Sequence, residues 1–482
     1  MSNAIDISFI IPVSNKAPVL PYVIKNLSKQ IGHFVPEFIF IDDASLDGSV
    51  SIIRNNVKKY HLKNVQIIEN KEQKGLAFRL NQGILKANGD FIFFMDAGDI
   101  LAIDAVHHMY ERLIISGADM ARGFFELSAQ KPEKVIDFEL KSPISCFIST
   151  HPLGTLLTQH HIKRLGILAR YETVIRSGGA DSSLYMDDIS LTLNLARASK
   201  KMITITQPLF RILKHFPLYR TNPKNKFHIL HDVFISYYRF IKFESPHPDE
   251  YDLALEHAFK YGMQYITDVF QNPYNLLPLN KYSAYYILAR IFPALKPCAV
   301  RHFAKYIKND KRRWLKNLDL NQIKILPVYE EDIPFIQLYS TQMAKYTDSL
   351  SSLENILPKR TEELKKLFAG DTDNIFIKAT YKKDIIGLCF LKKQDLSNTY
   401  RIFVSVSPLF GDYGIGSLLI KTALKIAKEK NVYHIQIPVA PQDKRSLALF
   451  KKHGFTYQNK ISEYISETNK IYKAYLLQLD FE

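Results

Sequence analysis

The sequence predicts an α/β protein of more than one domain, from three observations. The chain has 482 residues, too many for one core of usual size. Short β-rich runs alternate with helical-period segments up to about residue 225, give way to helical texture, and return from Gln322 onward. Two runs each join a strand to a feature that suits phosphate: FIFFMDAGDIL (Phe91 to Leu101) ends in carboxylates, and FVSVSPLFGDYGIGSLLI (Phe403 to Ile420) turns through glycines into a helix. The expected division is an α/β domain over 1–225, a helical basic extension over 226–318 and an α+β domain over 319–482.

In the first piece the expected strands are Ile7 to Val13, Glu37 to Ile41, Val65 to Glu69 and Phe91 to Met95. Val19, Leu20, Val23, Ile24 and Leu27 form one apolar stripe at helical spacing, and Val50, Ile53 and Val57 another, so helices cover the sheet. The middle piece has long helical periods rich in Phe, Tyr and Leu, broken by prolines at 246, 248, 273, 278, 293 and 297. The last piece reads as the strand IKILPV, a helix from Glu331, the hairpin IFIKATYKKDIIGLCFLKK, the strand RIFVSVSP, a helix, the strand YHIQIPV, a helix, and a final strand YKAYLLQLD.

Hydrophobic residues at 46% and charged residues at 23% exclude extended disorder. Cys146, Cys298 and Cys389 are far apart and lack CxxC spacing, which argues against a disulfide framework or a zinc site and for a reducing compartment. The start, MSNAIDISFIIPV, has no basic stretch before its short apolar run, so no secretory signal is expected. No window reaches the roughly 18–20 apolar residues that span a bilayer. The best candidate, Tyr282 to Val300, is broken by Arg290 and Lys296. A cytoplasmic location follows.

The net charge of +16 favours an anionic partner, and it is densest between Lys281 and Lys316, where ten basic residues face the single acid Asp310. Three readings of that segment stay open. They are a solvated helical face, peripheral attachment to the inner face of a membrane, and nucleic-acid binding; the last ranks lowest because no recognised nucleic-acid module accompanies the charge.

Polar runs recur at expected strand ends in PVSN (Pro12 to Asn15), IDDASLDGS (Ile41 to Ser49), MDAGD (Met95 to Asp99) and MDD (Met186 to Asp188), the last three carrying carboxylates, where open α/β sheets bind ligands. Asp43 is placed to accept an imide N–H, and Ser45 with Asp47 makes a side-chain-bonded turn. This succession resembles the nucleotide-sugar glycosyltransferases of family 2 over roughly residues 5–220. The resemblance implies a Rossmann-like GT-A fold. It implies nucleotide-sugar contacts at Pro12, Val13, Ser14, Asn15, Asp43, Gly75, Asn81, Asp96 and Ala97, with Asp43 reading uracil. A divalent cation, Mg or Mn, is implied at Asp96, Asp99 and His215, and Asp188 is implied as the catalytic base of an inverting transfer. Two positions depart from the family's pattern: Leu80 stands where an Arg is usual, with Arg79 one place earlier, and Gly98 replaces the second Asp of the metal motif.

In the last piece, Gly411, Gly414 and Gly416 permit a turn whose N–H groups point at a pyrophosphate, and a helix follows. With DKRSLALFKKHGF (Asp443 to Phe455) one strand later, the region resembles the GNAT-type N-acetyltransferases over roughly residues 322–482. The resemblance implies acetyl-CoA as co-substrate, with Val404, Ser405 and Val406 along the pantetheine and Gly411, Asp412, Tyr413, Gly414, Ile415 and Gly416 around the pyrophosphate. It also places Asp443 and Phe450 at CoA-binding positions. Phe450 stands where a Tyr often protonates the leaving thiolate, which leaves that task to Tyr457 or water.

The leading expectation is a bifunctional enzyme. It would transfer a sugar from a nucleotide donor to a glycan or lipid-linked acceptor, and acetylate an amine, the economical choice being an amino sugar, in surface polysaccharide synthesis. The rival is a GT-A domain without turnover that serves as scaffold or sensor for the acetyltransferase.

Overall fold

The computed structural model describes residues 4–481 except 131, 135, 142, 159–165, 183, 185–188, 214–222, 244–246, 271–287, 308–319, 345–363, 365–372, 382–383, 395–397, 408–409, 412, 442 and 466–470. The chain forms two compact units, Met1–Lys311 and Arg312–Glu482.

In the first unit the four apolar runs become strands β1 (Ile7–Val13), β2 (Pro36–Asp42), β3 (Val65–Glu69) and β4 (Phe91–Phe94), all parallel, in the order β3-β2-β1-β4. The intervening segments form α1 (Leu20–Leu27), α2 (Ser49–Lys59) and α3 (Leu76–Ile84). Alternation along β1 serves two cores, Phe9, Ile11 and Val13 in one and Ile10 in the other. Because β1, β2 and β4 run the same way, their carboxyl ends open on one edge.

Five more strands, not foreseen, extend this sheet. After β5 (Asp99–Leu101) and α4 (Ala105–Ser116) come β6 (Met120–Ser128), β7 (Cys146–Ser149), α5 (Pro152–Leu157), β8 (Ile167–Arg170), α6 (Tyr171–Ser177), α7 (Ser190–Ala198) and β9 (Met202–Leu213). The order continues β4-β8-β6-β9-β5, with β7 on β9. β6 pairs with β9 through a register shift between Arg122 and Phe125. A polar residue and a bulge inside one strand hide it from a search for alternation.

The helical middle is real, and it shares the first unit's core. Helices α8 (Pro223–Phe243), α9 (Pro248–Phe270) and α10 (Lys296–Ile307) bury Phe234, Tyr237, Ala258 and Phe303 in the same cluster as Leu156 of α5 and Leu193 of α7. The Tyr237 ring stacks on His257 with centroids 4.9 Å apart. Among the described residues no helix is long and apolar enough to cross a membrane.

The second unit is a seven-stranded sheet. Its strands are β10 (Ile323–Pro327), β11 (Ile375–Tyr381), β12 (Asp384–Gln394), β13 (Thr399–Val406), β14 (His434–Val439), β15 (Thr456–Ile465) and β16 (Ile471–Asp480), in the order β10-β11-β12-β13-β14-β16-β15. Here β15 is the strand the sequence reading did not include. Helix α11 (Ile333–Ala344) packs on one face against Leu388, Phe390 and Phe403. Helices α12 (Ile415–Glu429) and α13 (Lys444–Lys452) cover the other with Leu419, Ala423 and Phe450.

All neighbours are antiparallel except β13 and β14, which pair only from Thr399 to Arg401 against His434 to Gln436. Beyond that the two strands part. From Ile402 to Val406, β13 is bonded to β12 alone among the described residues.

Candidate active sites

The first site lies at the carboxyl ends of β1, β2 and β4. Pro12 and Val13 finish β1 in register with Ile41 and Asp42. After Ser14, Asn15 turns into the left-handed region at φ 49°, a conformation Asn tolerates. Its N–H donates to Ser45 Oγ at 2.9 Å, and its Oδ1 accepts from the Leu46 N–H at 2.9 Å. Asp47 accepts from the Ala17 N–H at 2.9 Å and from the Ser49 hydroxyl at 2.5 Å, bonds that hold its carboxyl below the usual range although burial opposes them. The two strand-end loops are therefore one bonded unit.

Asp43 is 6% exposed, and three donors converge on it. The Lys74 N–H lies 2.9 Å from Oδ1, the Gly75 N–H 3.2 Å from Oδ2, and Arg79 Nε 2.7 Å from Oδ1. Arg79 is 1% exposed and reaches on to Gln82 Oε1 at 3.1 Å and the Glu72 carbonyl at 2.6 Å. A carboxylate has about four acceptor positions, so Asp43 keeps one for a ligand N–H. Its neighbour Asp42 accepts from the Ser45 N–H at 3.0 Å through Oδ2, while its buried Oδ1 has no hydrogen-bond partner among the described residues.

Asp96 and Ala97 follow β4. The Asp96 side chain is 31% exposed, with Lys16 Nζ 4.0 Å from Oδ1. Asp99 is turned inward: its Oδ2 accepts from the Asp96 N–H at 3.0 Å, and its own N–H donates to the Asp96 carbonyl at 3.1 Å. At Gly98 the nearest atom to an added Cβ would be Lys16 Nζ, at 3.6 Å. The lysine ammonium thus borders the gap that the missing carboxylate leaves.

Asn81 of α3 clamps a distant loop, donating from Nδ2 to the Ala180 carbonyl at 2.8 Å and accepting the Ala180 N–H at 2.9 Å. Next to it, the Asp181 N–H donates to Ser190 Oγ at 2.9 Å, and Arg239 of α8 pairs with the Asp181 carboxylate. These bonds secure both flanks of residues 185–188. Asp188 itself, like His215, lies outside the described residues.

The second site surrounds the parting of β13 and β14. Gly414 is the N-cap of α12 at φ 79°, where an L side chain is strained, and no side chain caps the helix. The first-turn N–H groups of α12 are left for an anion. A Cβ on Gly416 would meet Leu449 Cδ2 at 3.3 Å and Val406 Cγ2 at 3.8 Å, so its absence lets α12, α13 and the end of β13 close together. Ile415 is buried, Tyr413 is 41% exposed, and Gly411 is half-buried; Asp412 lies outside the described residues.

Asp443 is occupied locally as the N-cap of α13, accepting from the Ser446 N–H at 3.0 Å and hydroxyl at 2.7 Å. Phe450 is 3% exposed and edge-on to Phe455, with centroids 5.2 Å apart. Tyr457 stands outside at 46% exposure, with Lys451 Nζ 4.3 Å from its ring. Ser417, in the first turn of α12, shares a 2.7 Å hydrogen bond with His453 Nε2.

Two family models match these two sites. The model described as "Glycosyl transferase family 2" covers residues 8–135, and the "Acetyltransferase (GNAT) family" covers residues 335–455. The chain carries a family 2 glycosyltransferase domain and a GNAT acetyltransferase domain. An uncharacterised glycosyltransferase of Haemophilus influenzae is 33% identical over 117 residues, 24% of this chain and 46% of that protein. The chain spans less than half the length of the curated relatives it matches.

Among solved structures, residues 1–349 of TarS from S. aureus are 13% identical, covering 79% of this chain and 98% of that one, at a TM-score of 0.43. A GNAT acetyltransferase from Streptococcus pneumoniae is 21% identical, covering 33% of this chain and 99% of that one, at 0.29. Likenesses at that level carry no weight for what either domain acts on.

In the glycosyltransferase domain the described donors fit a hard cation in one mode. Mg²⁺ is commonly held by one or two carboxylates together with substrate phosphates, and Asp96 is the outward carboxylate here. Such an ion would neutralise a diphosphate leaving group. Elsewhere among the described residues, His107, His108 and Glu111 of α4 bring ligand atoms within 4.8 Å of one another, but Arg112 also lies 3.4 Å from His108 Nδ1.

Lys16, Arg79 and Asp42 were not among the expected contacts. Only Arg79 left a signal, as a basic residue one place from where the family carries one. In the acetyltransferase domain the unforeseen residue is Tyr339 of α11, whose side chain is buried near Ser405 of β13 and whose pKa burial pushes up.

Proposed function

We propose that the chain transfers a sugar from a UDP-type donor to a glycan or lipid-linked acceptor with inversion, and acetylates an amine of an amino sugar, in the synthesis of a surface polysaccharide. The observation that supports this reading is the presence of two separate sites, carboxylates gathered at the ends of parallel strands in the first domain and an uncapped helix N-terminus beside parted strands in the second.

In the first domain, Asp43 would take the imide N–H of the base, and Asp96 with a divalent cation would hold the diphosphate. Asp188 would remove the proton from the acceptor hydroxyl as its oxygen attacks the anomeric carbon and the nucleoside diphosphate leaves. In the second, the pantetheine would lie along Val404 to Val406 and the pyrophosphate on the first turn of α12. An amine would attack the thioester carbonyl and give up a proton to water, and the departing thiolate would take its proton from Tyr457 or water.

The exposed side chains Leu288, Ile291, Phe292 and Leu295, next to Arg290 and Lys296, support peripheral contact of the segment 281–316 with an anionic membrane. Residues 281–287 and 308–316 of that segment lie outside the described residues.

The test is Asp188→Asn. It is expected to lower sugar transfer by at least about 100-fold, the lower end of what a positioned base contributes, while acetyl-CoA binding is retained. UDP-sugar hydrolysis and calorimetric titration of acetyl-CoA read the two separately. Wild-type protein that binds UDP-sugars without turning over any, with or without manganese, would instead support the scaffold reading.

A further inference from the structure

Arg122, in β6, is a buried cation without a counter-charge among the described residues. It is 5% exposed, and its Nη1 has no hydrogen-bond partner among the described residues. Its recorded contact is the Phe124 ring, 5.7 Å from Cζ. Burial alone pushes its pKa down to about 10, with no carboxylate acting against it. An ion taken from water and left unpaired destabilises a fold, which makes such a group informative about ligands.

Its neighbour repeats the pattern. Thr204 is the register partner of Arg122 on β9, fully buried, and its hydroxyl likewise has no hydrogen-bond partner. One rung of the sheet runs Ile10, Phe94, Ile167, Arg122, Thr204 and Phe147, crossing β1, β4, β8, β6, β9 and β7. Ile10, Phe94 and Ile167 belong to one apolar cluster, and alternation from Met120 and Met202 puts Arg122 and Thr204 on that same face. The rung turns polar at Arg122 and then reaches Phe147, which is 40% exposed. Thr204 therefore lies one strand in from the β7 edge, and Arg122 two.

The donor edge lies two strands away, at β4. Asn15, Asp43 and Asp96 follow β1, β2 and β4, whereas β8 separates β4 from β6, so Arg122 and Phe94 have Cα atoms about 10 Å apart across the sheet. The register shift just after Arg122 is a bulge of the kind that re-aims side chains beside functional sites.

We propose that Arg122 and Thr204 form a subsite for a phosphate ester carried by the acceptor, separate from the place of the donor's diphosphate. Guanidinium and hydroxyl together offer donors from two directions, which a tetrahedral group with several oxygens can accept at once. This assignment rests on the reading of the domain as a sugar transferase, and it makes the acceptor anionic.

The full chain is titrated with methyl phosphate in chloride buffer, alone and with saturating UDP, and the unfolding midpoint of the first unit is followed. Wild-type protein should gain stability from methyl phosphate, equally with UDP bound, and acetate should not substitute. Arg122→Met should abolish the response, Thr204→Val should weaken methyl phosphate binding about tenfold, and both should still bind UDP. In phosphate-free buffer Arg122→Met should not lower the midpoint, because it removes an unneutralised charge; a purely structural arginine would show a drop. If Arg122→Met does not fold, Arg122→Lys keeps the charge without the fork and should weaken the response. The proposal is overturned by no response in the wild type, by a response that UDP competes away, by one that survives Arg122→Met, or by equal stabilisation from acetate. Loss of the donor reading appears separately, as failure to bind UDP.

Discussion

Asp43 and Arg79 concentrate the evidence about the first site into one pair. The carboxylate stands at the end of β2, and at 6% exposure its oxygens are met by Arg79 and two backbone N–H groups. Removing one partner of a buried pair leaves the other charge unmatched. Arg79→Ala is therefore expected to destabilise the first unit by about 3–5 kcal/mol, read by urea unfolding, and to weaken UDP binding in the fraction that remains folded. In sequence, Asp43 was legible as a carboxylate after a strand, and Arg79 only as an arginine displaced by one place. Their contact spans 36 residues and depends on how α3 docks, which no local pattern encodes. Asp443, which the resemblance placed at a CoA-binding position, is engaged as the cap of α13 through Ser446, a role found only in the folded chain.

At the scale of elements, the parallel strands β1 to β4 and most of the second sheet follow from apolar runs of strand length. Among the strands that escaped notice, β5 is short and β6 is interrupted by a buried cation, so in β6 the missing signal and the candidate subsite share one cause. The junction of α12 and α13 has its own chemistry. Desolvation, and then Lys421 and Lys452, hold the His453 ring below its ordinary value of 6.5, so the folded unit keeps it neutral beside Ser417. The unfolded chain takes up that proton first as pH falls. Stability of the second unit should therefore decline as pH drops from about 6.5 toward the lowered folded value, and be indifferent to this group above 6.5. His453→Gln should flatten that slope in melts between about pH 5 and 8, and an unchanged slope would assign the titration elsewhere.

At the scale of the whole molecule, each of the two units has cores of its own, Met1–Lys311 around the larger sheet and Arg312–Glu482 around the smaller. Their ligands should act on separate unfolding transitions. With CoA at about 100 times its dissociation constant the smaller unit should gain about 2.7 kcal/mol, a rise of about 5–10 °C in its midpoint, while UDP moves only the other transition. Scanning calorimetry with each ligand in turn checks this, and a single transition moved by either ligand would mean that the units unfold together. The parted strands bear on the unliganded protein too. Between Ile402 and Val406 the outer side of β13 has no strand beside it among the described residues, so its peptide groups form half of a ladder that another extended chain could complete. A thioester cofactor lying in that gap would supply the missing partners to those peptide groups, so its binding would also protect the backbone of β13 from hydrogen exchange.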